Sequence, residues 1–78
     1  MIEVQNNEVF GDDVRPLLAR VEQNSGTAQL EFEKSDGSFA VLEVFDADGL
    51  FELPTAQGLR FRPVLAGGAK FFIGHAVR

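Results

Sequence analysis

The chain has no cysteine, no tryptophan and no tyrosine, and it carries one histidine and one methionine. The missing cysteine excludes disulfides and thiolate metal sites. The missing Trp and Tyr remove the flat ring with a polar edge that sugar-binding sandwiches display. A lone imidazole, His75, lacks a marked nucleophile or orienting group, so it reads as a structural residue. No P-loop, G-x-G-x-x-G or C-x-x-C pattern occurs. No apolar run approaches the roughly 20 residues of a spanning helix, so no membrane partner is expected. The opening MIEVQNNEVF has neither the basic nor the apolar region of a signal peptide. Residues 53–78 contain no acid at all: their four bases give +4, whereas residues 1–52 set 12 acids against three bases, −9.

That asymmetry has two readings, steering or head-to-tail association of copies, or basic strands paired with acidic ones inside one sheet. The pairing reading is preferred. An overall charge of −5 suits nucleic acid poorly, because such binding rests on neutralising phosphates. At 78 residues the chain is one domain near the lower limit for a single core. A domain of this size often gains stability from copies of itself.

What is present is apolar alternation and turn chemistry. In TAQLEFE, Leu30 and Phe32 alternate with Glu31 and Glu33, and Asp36-Gly37 supplies a tight turn into FAVLEVF. That second strand is apolar on both sides, with Phe39, Val41 and Phe45 on one and Ala40, Leu42 and Val44 on the other. It therefore needs cover, from the domain or from a neighbour. GLFELP is a short strand ended by Pro54. GLRFRPVLA and AKFFIGHAV read as a second hairpin about Gly67-Gly68. Leu59 and Phe61 face inward there, while Arg60 and Arg62 face outward in phase with Glu31 and Glu33. Val14, Leu17, Leu18 and Val21 also fit a helical period over 14–23, but the β character of everything downstream favours a strand. Residues 1–11 read as an extended arm with one short strand.

Candidate chemistry is sparse. FDADGLFE offers Asp46, Asp48 and Glu52 beside Gly49, but an EF-hand register would put Val44 and Thr55 where its anchor carboxylates belong. Asp-Ala-Asp-Gly is also what a turn requires. Paired carboxylates for glycoside chemistry need a cleft, and these acids fall on wet faces and turns. Phe61, Phe71 and Phe72 with Arg60, Arg62 and Lys70 have the composition of a single-strand-binding groove. Strand alternation, however, sets Phe61 on the opposite face from Arg60 and Arg62.

The strand-and-turn order from Thr27 to Val77 (AQLEFEKSDGSF, DGLFELP, GLRFRPVLAGGAKFFIGHAV) resembles that of small β-rich virion proteins of tailed bacteriophages. The resemblance implies a structural role in many copies, as a capsid decoration or cement protein or a minor head or tail subunit. It implies a virion location after synthesis in the host cytoplasm, and partners that are copies of the chain and a major capsid or other virion protein.

The expectation is an all-β domain over 12–78, a small antiparallel β-sandwich or jelly-roll-like fold of six to eight short strands, with an extended N-terminal arm over 1–11. Phe32, Phe39, Val41, Phe45, Phe61 and Phe71 are the expected core. Leu42, Val44, Arg60, Arg62, Val9 and Phe10 are the expected interface residues. No catalytic residue, metal or cofactor is expected. Two rival functions remain: a ligand- or glycan-binding β-module, and a single-stranded nucleic-acid-binding barrel.

Overall fold

The computed structural model describes residues 1–75; residues 76 and 77 of the expected last strand, and Arg78, lie outside the described residues. The described chain is all strand and turn: β1 (Ile2–Val4), β2 (Phe10–Gly11), β3 (Leu17–Glu22), β4 (Thr27–Glu33), β5 (Phe39–Phe45), β6 (Gly49–Leu53), β7 (Arg60–Ala66) and β8 (Lys70–His75). They form two antiparallel four-stranded sheets, ordered β1-β8-β3-β6 and β2-β7-β4-β5. Every connection except β4–β5 crosses from one sheet to the other, which is the winding of an eight-stranded double-sheet jelly roll. The Cα envelope of 33 × 33 × 17 Å has the thickness of two stacked sheets.

Alternation, not helical periodicity, governs residues 17–22. Leu17, Ala19 and Val21 are buried while Leu18, Arg20 and Glu22 are half-exposed. Val14, the first residue of the helical pattern, is 75% exposed. The inner faces of both sheets supply the core: Val4, Leu17, Ala19, Val21, Leu53 and Phe71 from one, and Ala28, Leu30 and Phe61 from the other. The Phe10 ring lies 5.7 Å from both Phe61 and Phe71, and so joins the two layers.

Residues 1–11 hold two short strands, both built into the sheets. Ile2 faces Ile73 across β1–β8, and Phe10 faces Phe61 across β2–β7. β2 does not begin before Phe10: the register would set residue 8 opposite Pro63 of β7, which has no N–H to offer a partner. The Asn7 N–H donates to the Pro63 carbonyl at 2.8 Å instead, and Asn6 Oδ1 accepts the Leu65 N–H at 2.8 Å.

Two expectations need correction. β7 and β8 are not a hairpin: they lie in different sheets, and Gly67 and Gly68, at φ +69° and +92°, arch the chain across the core. That arch meets the β3–β4 turn, where Asn24 and Ser25 take positive φ and Asn24 Nδ2 donates to the Gly68 carbonyl at 3.1 Å.

The second correction concerns β5. Its pairing with β4 slips by one residue between Leu30 and Glu31, leaving Leu42 without an opposite number. Cross-strand partners share a face. Ala28 opposite Phe45 and Leu30 opposite Glu43 therefore turn Phe45 and Glu43 inward. Beyond the bulge, Glu31 opposite Val41 and Glu33 opposite Phe39 turn Val41 and Phe39 outward. Phe61 and Phe71 are sealed, and Phe32 and Phe45 are half-buried against the core. Val41 is 52% exposed and is not a core residue. Phe39 belongs to the outer face, under the Arg62 guanidinium.

Candidate docking site

Strands β5 and β6 end their respective sheets and do not pair with each other, so the sandwich is open along this side. A cleft of about 420 Å³ enters there and reaches Leu30, which is otherwise sealed. Phe45 from one sheet and Phe51 from the other line it, their rings packed on each other with centroids 4.8 Å apart. Leu42 and Glu43 stand on the β5 lip, and Glu52 and Pro54 on the β6 side. The local sequence explains the placement. Alternation with Phe45 turns Glu43 toward the cleft, alternation in GLFEL sends Phe51 and Leu53 inward, and Pro54 ends the strand.

The apolar surface continues outside the cleft. Leu42 and Val44 are exposed on β5, and Leu50 is exposed on β6. Val44 also borders a smaller hollow of about 210 Å³ with Val64 and Leu65 of β7. The strand expected to need cover is therefore left uncovered by its own domain.

The basic residues proposed for an interface are differently occupied. Arg60 holds Glu33, Nη2 to Oε1 at 2.6 Å, and Arg62 holds Glu31, Nε to Oε1 at 2.7 Å. These are the cross-strand pairs that the matching periods anticipate. The Arg62 guanidinium also lies 4.0 Å from the centre of the Phe39 ring. The other sheet repeats the device: Arg20 sits 4.3 Å over Phe72, and its Nε contacts Glu22 at 3.2 Å. That contact lacks hydrogen-bond alignment, so it is an interaction of charges alone. Phe10 is taken up between the sheets, whereas Val9 beside it is exposed.

At the far side of the sandwich, His75 Nε2 lies 2.7 Å from Asp13 Oδ2. Asp13 Oδ1 accepts the Arg15 N–H at 2.9 Å. The His75 hydrogen bond, then the Arg15 N–H, hold the Asp13 carboxyl down at about 2. The adjoining hollow of about 310 Å³ is walled by Met1, Ile2, Leu17 and Ile73, and its described lining has no hydroxyl or thiol for the imidazole to activate. The pair ties the end of β8 to the β2–β3 loop. In the turn before β6, Asp48 Oδ1 accepts the Gln23 N–H at 2.8 Å, a turn-fastening role.

The chain matches no family model, no curated protein and no solved structure.

Its own surface is then the guide. Of the residues expected at an interface, Leu42 and Val44 fall together at the open edge. Arg60 and Arg62 lie on the outer face of the same sheet, and Val9 and Phe10 lie near its opposite edge. Sequence reasoning overlooked Phe51, Leu50 and Glu43. The available signal was the short link: only residues 46–48 separate β5 from β6, which obliges the two edges to be neighbours.

Proposed function

We propose that the protein is a non-enzymatic structural component of a larger assembly, acting by association with its own copies and by docking on a protein shell. The resemblance to small tailed-phage virion proteins makes a capsid decoration or cement protein, or a minor head or tail subunit, the setting of choice. One observation carries this reading: a seven-residue edge strand, β5, leaves Val41, Leu42 and Val44 open to solvent, with Leu50 exposed on the neighbouring edge. Exposed apolar side chains gathered along an edge strand mark sites of protein contact. Many copies on a shell also offset a modest interface per copy.

The test is native mass by light scattering over a wide concentration range, together with co-sedimentation on candidate capsids. The expected result is a multimer, or retention on particles, that Leu42→Lys with Val44→Lys abolishes while the circular dichroism spectrum is kept. A wild-type chain that stays at 8.5 kDa throughout and binds no particle refutes the proposal.

A small-ligand module is the second reading, favoured by the cleft beside β5, whose volume lies within the range of ligand pockets. Nucleic acid is a weaker fit, since Arg60 and Arg62 already answer Glu33 and Glu31.

A further inference from the structure

The outer face of the β2-β7-β4-β5 sheet is ordered from edge to edge. Across the strands, Val41 of β5 lies opposite Glu31 of β4, and Glu31 lies opposite Arg62 of β7. The β2–β7 register carries this row on to Val9, just before Phe10. Val41 and Val9, at its two ends, are 52% and 44% exposed. The row therefore reads apolar, acid, base, apolar. The adjoining row, Phe39, Glu33, Arg60 and Gly11, sets its acid and its base in the same order. Glu31, Glu33, Arg60 and Arg62 cancel in charge, although the chain as a whole carries −5.

A half-turn about an axis along the strands, between β4 and β7, reverses such a row. It lays Glu31 and Glu33 of one copy on the partner's Arg62 and Arg60, and Val41 on the partner's Val9, each contact made twice. The strands stay aligned, as in face-to-face sheet packing. Arg62 bonds its own Glu31 through Nε, and Arg60 its own Glu33 through Nε and Nη2. A guanidinium has five N–H donors, so each can take a second carboxylate. The other routes to a second copy are worse. The outer row of the second sheet is Leu50, Arg20, Phe72 and Glu3, and its reversal lays Leu50 on Glu3. At the β5 edge, the Leu42 bulge and the inward-pointing Glu43 interrupt a full ladder of β5 on β5. Resting on the reading of the protein as a self-associating component, we propose that a second copy covers the outer face of the β2-β7-β4-β5 sheet in a two-fold dimer. Val41 packs there on the partner's Val9, and the Glu31–Arg62 and Glu33–Arg60 pairs of both copies join into one network.

The test uses two single variants at exposed positions, Val41→Lys and Val9→Glu. Mass is followed by light scattering against concentration, and folding by circular dichroism. The wild type is expected to reach twice 8.5 kDa. Each variant alone is expected to dimerise at least tenfold more weakly, because a charge is then set against valine at both contacts. An equimolar mixture of the two is expected to dimerise within about threefold of wild type: lysine meets glutamate at one contact and valine meets valine at the other. If either variant does not fold, amide exchange on the wild type decides. The edge amides of β5 should then exchange alike in monomer and dimer, since the face and not the edge is covered.

A mixture that dimerises no better than its components, variants that dimerise as well as wild type, or protection of the β5 edge amides on association each overturn the proposal. So does a wild-type chain that stays monomeric at millimolar concentration. Co-sedimentation separates this inference from the broader reading. A monomer retained on capsids removes the dimer and keeps the shell component. A multimer with protected β5 edge amides keeps self-association and removes this face. A chain that neither associates nor binds particles refutes both.

Discussion

Replacing Gly26 with alanine sets two effects of opposite sign against each other. Gly26 does not have positive φ, so an alanine can adopt its backbone conformation. On that ground alone Gly26→Ala should stabilise by about 0.4–1 kcal/mol, because the unfolded chain loses freedom. The surroundings reverse the sign. A Cβ at this position would run into the Ala66 carbonyl oxygen and lie 2.8 Å from the Gly67 carbonyl carbon and oxygen, where ordinary contact begins at 3.4 Å. The obstruction is backbone, so no rotamer change relieves it. The β3–β4 turn and the β7–β8 arch must separate, and Asn24 then loses its hold on Gly68. Overpacking of this kind costs about 1–3 kcal/mol and sometimes more. The net effect is a loss of about 1–2 kcal/mol, which for a domain of this size is a fall in Tm on the order of 10 °C.

Two companions separate the causes of that loss. Gly49 has open space and no positive φ, so Gly49→Ala should raise stability by about 0.4–1 kcal/mol. Gly37 has the same open space but sits at φ +87°, so Gly37→Ala should lower it by about 1 kcal/mol through backbone strain alone. The assay is thermal and urea unfolding by far-ultraviolet circular dichroism, since the chain has no Trp or Tyr for fluorescence. A Gly26→Ala protein as stable as wild type, or more so, refutes the close approach of the two turns.

Acid should expose the Asp13–His75 tie. Asp13 is held at about 2 against the ordinary 3.8, so its contribution is fully present above about pH 4 and drains away as pH falls toward 2; Asp13→Asn should flatten that part of the stability–pH curve. Asp36, lowered by the Ser38 hydroxyl and then by the Ser38 N–H, contributes in the same direction, so the flattening is partial until Asp36→Asn is added. Arg62→Ala should cost more than Arg60→Ala in urea titrations, because Arg62 loses its stacking on Phe39 as well as its glutamate. The ion pairs themselves account for no more than about 1 kcal/mol each. Phe71→Ala, at a position with no exposed surface in contact with rings from β2, β5 and β6, should cost about 3–5 kcal/mol and leave little folded protein at 37 °C.

The parts of the architecture legible in the sequence were those written in adjacent residues. Leu30-Glu31-Phe32-Glu33 followed by Asp36-Gly37 specifies a strand and its turn locally, and the β4–β5 hairpin is there. Arg60 and Arg62 share a period with Glu31 and Glu33, and they pair. Residues 14–23 satisfy helical and strand templates alike, and burial of Ala19, which the helical pattern ignores, decides for the strand. Two features were hidden because they depend on distant partners. A Gly-Gly turn between apolar runs looks the same whether it folds back within a sheet or vaults to the opposite one. A bulge is invisible in an unbroken apolar run such as FAVLEVF. That single slipped residue moved Val41 and Phe39 off the face that Phe45 and Glu43 share. The candidate site was half readable for the same reason: Leu42 and Val44 stood out by composition, but their companions on β6 are set by how the two sheets face each other.

The pairing of Ile2 with Ile73 has a consequence for how the molecule comes into being. Of the eight described strands β8 is synthesised last, yet it lies between β1 and β3 in the finished sheet. Until it emerges, the first strand has no neighbour and β3 shows the ribosome-bound nascent chain an unzipped margin. Maturation must wait for translation to pass residue 75, and topologies of this kind then close slowly, over milliseconds to seconds. Fusing a bulky carrier behind β8 should prolong that vulnerable interval, whereas a circular permutant opened in the solvent-facing β4–β5 turn should move it to the other sheet, where β5 would be made first and wait for β4.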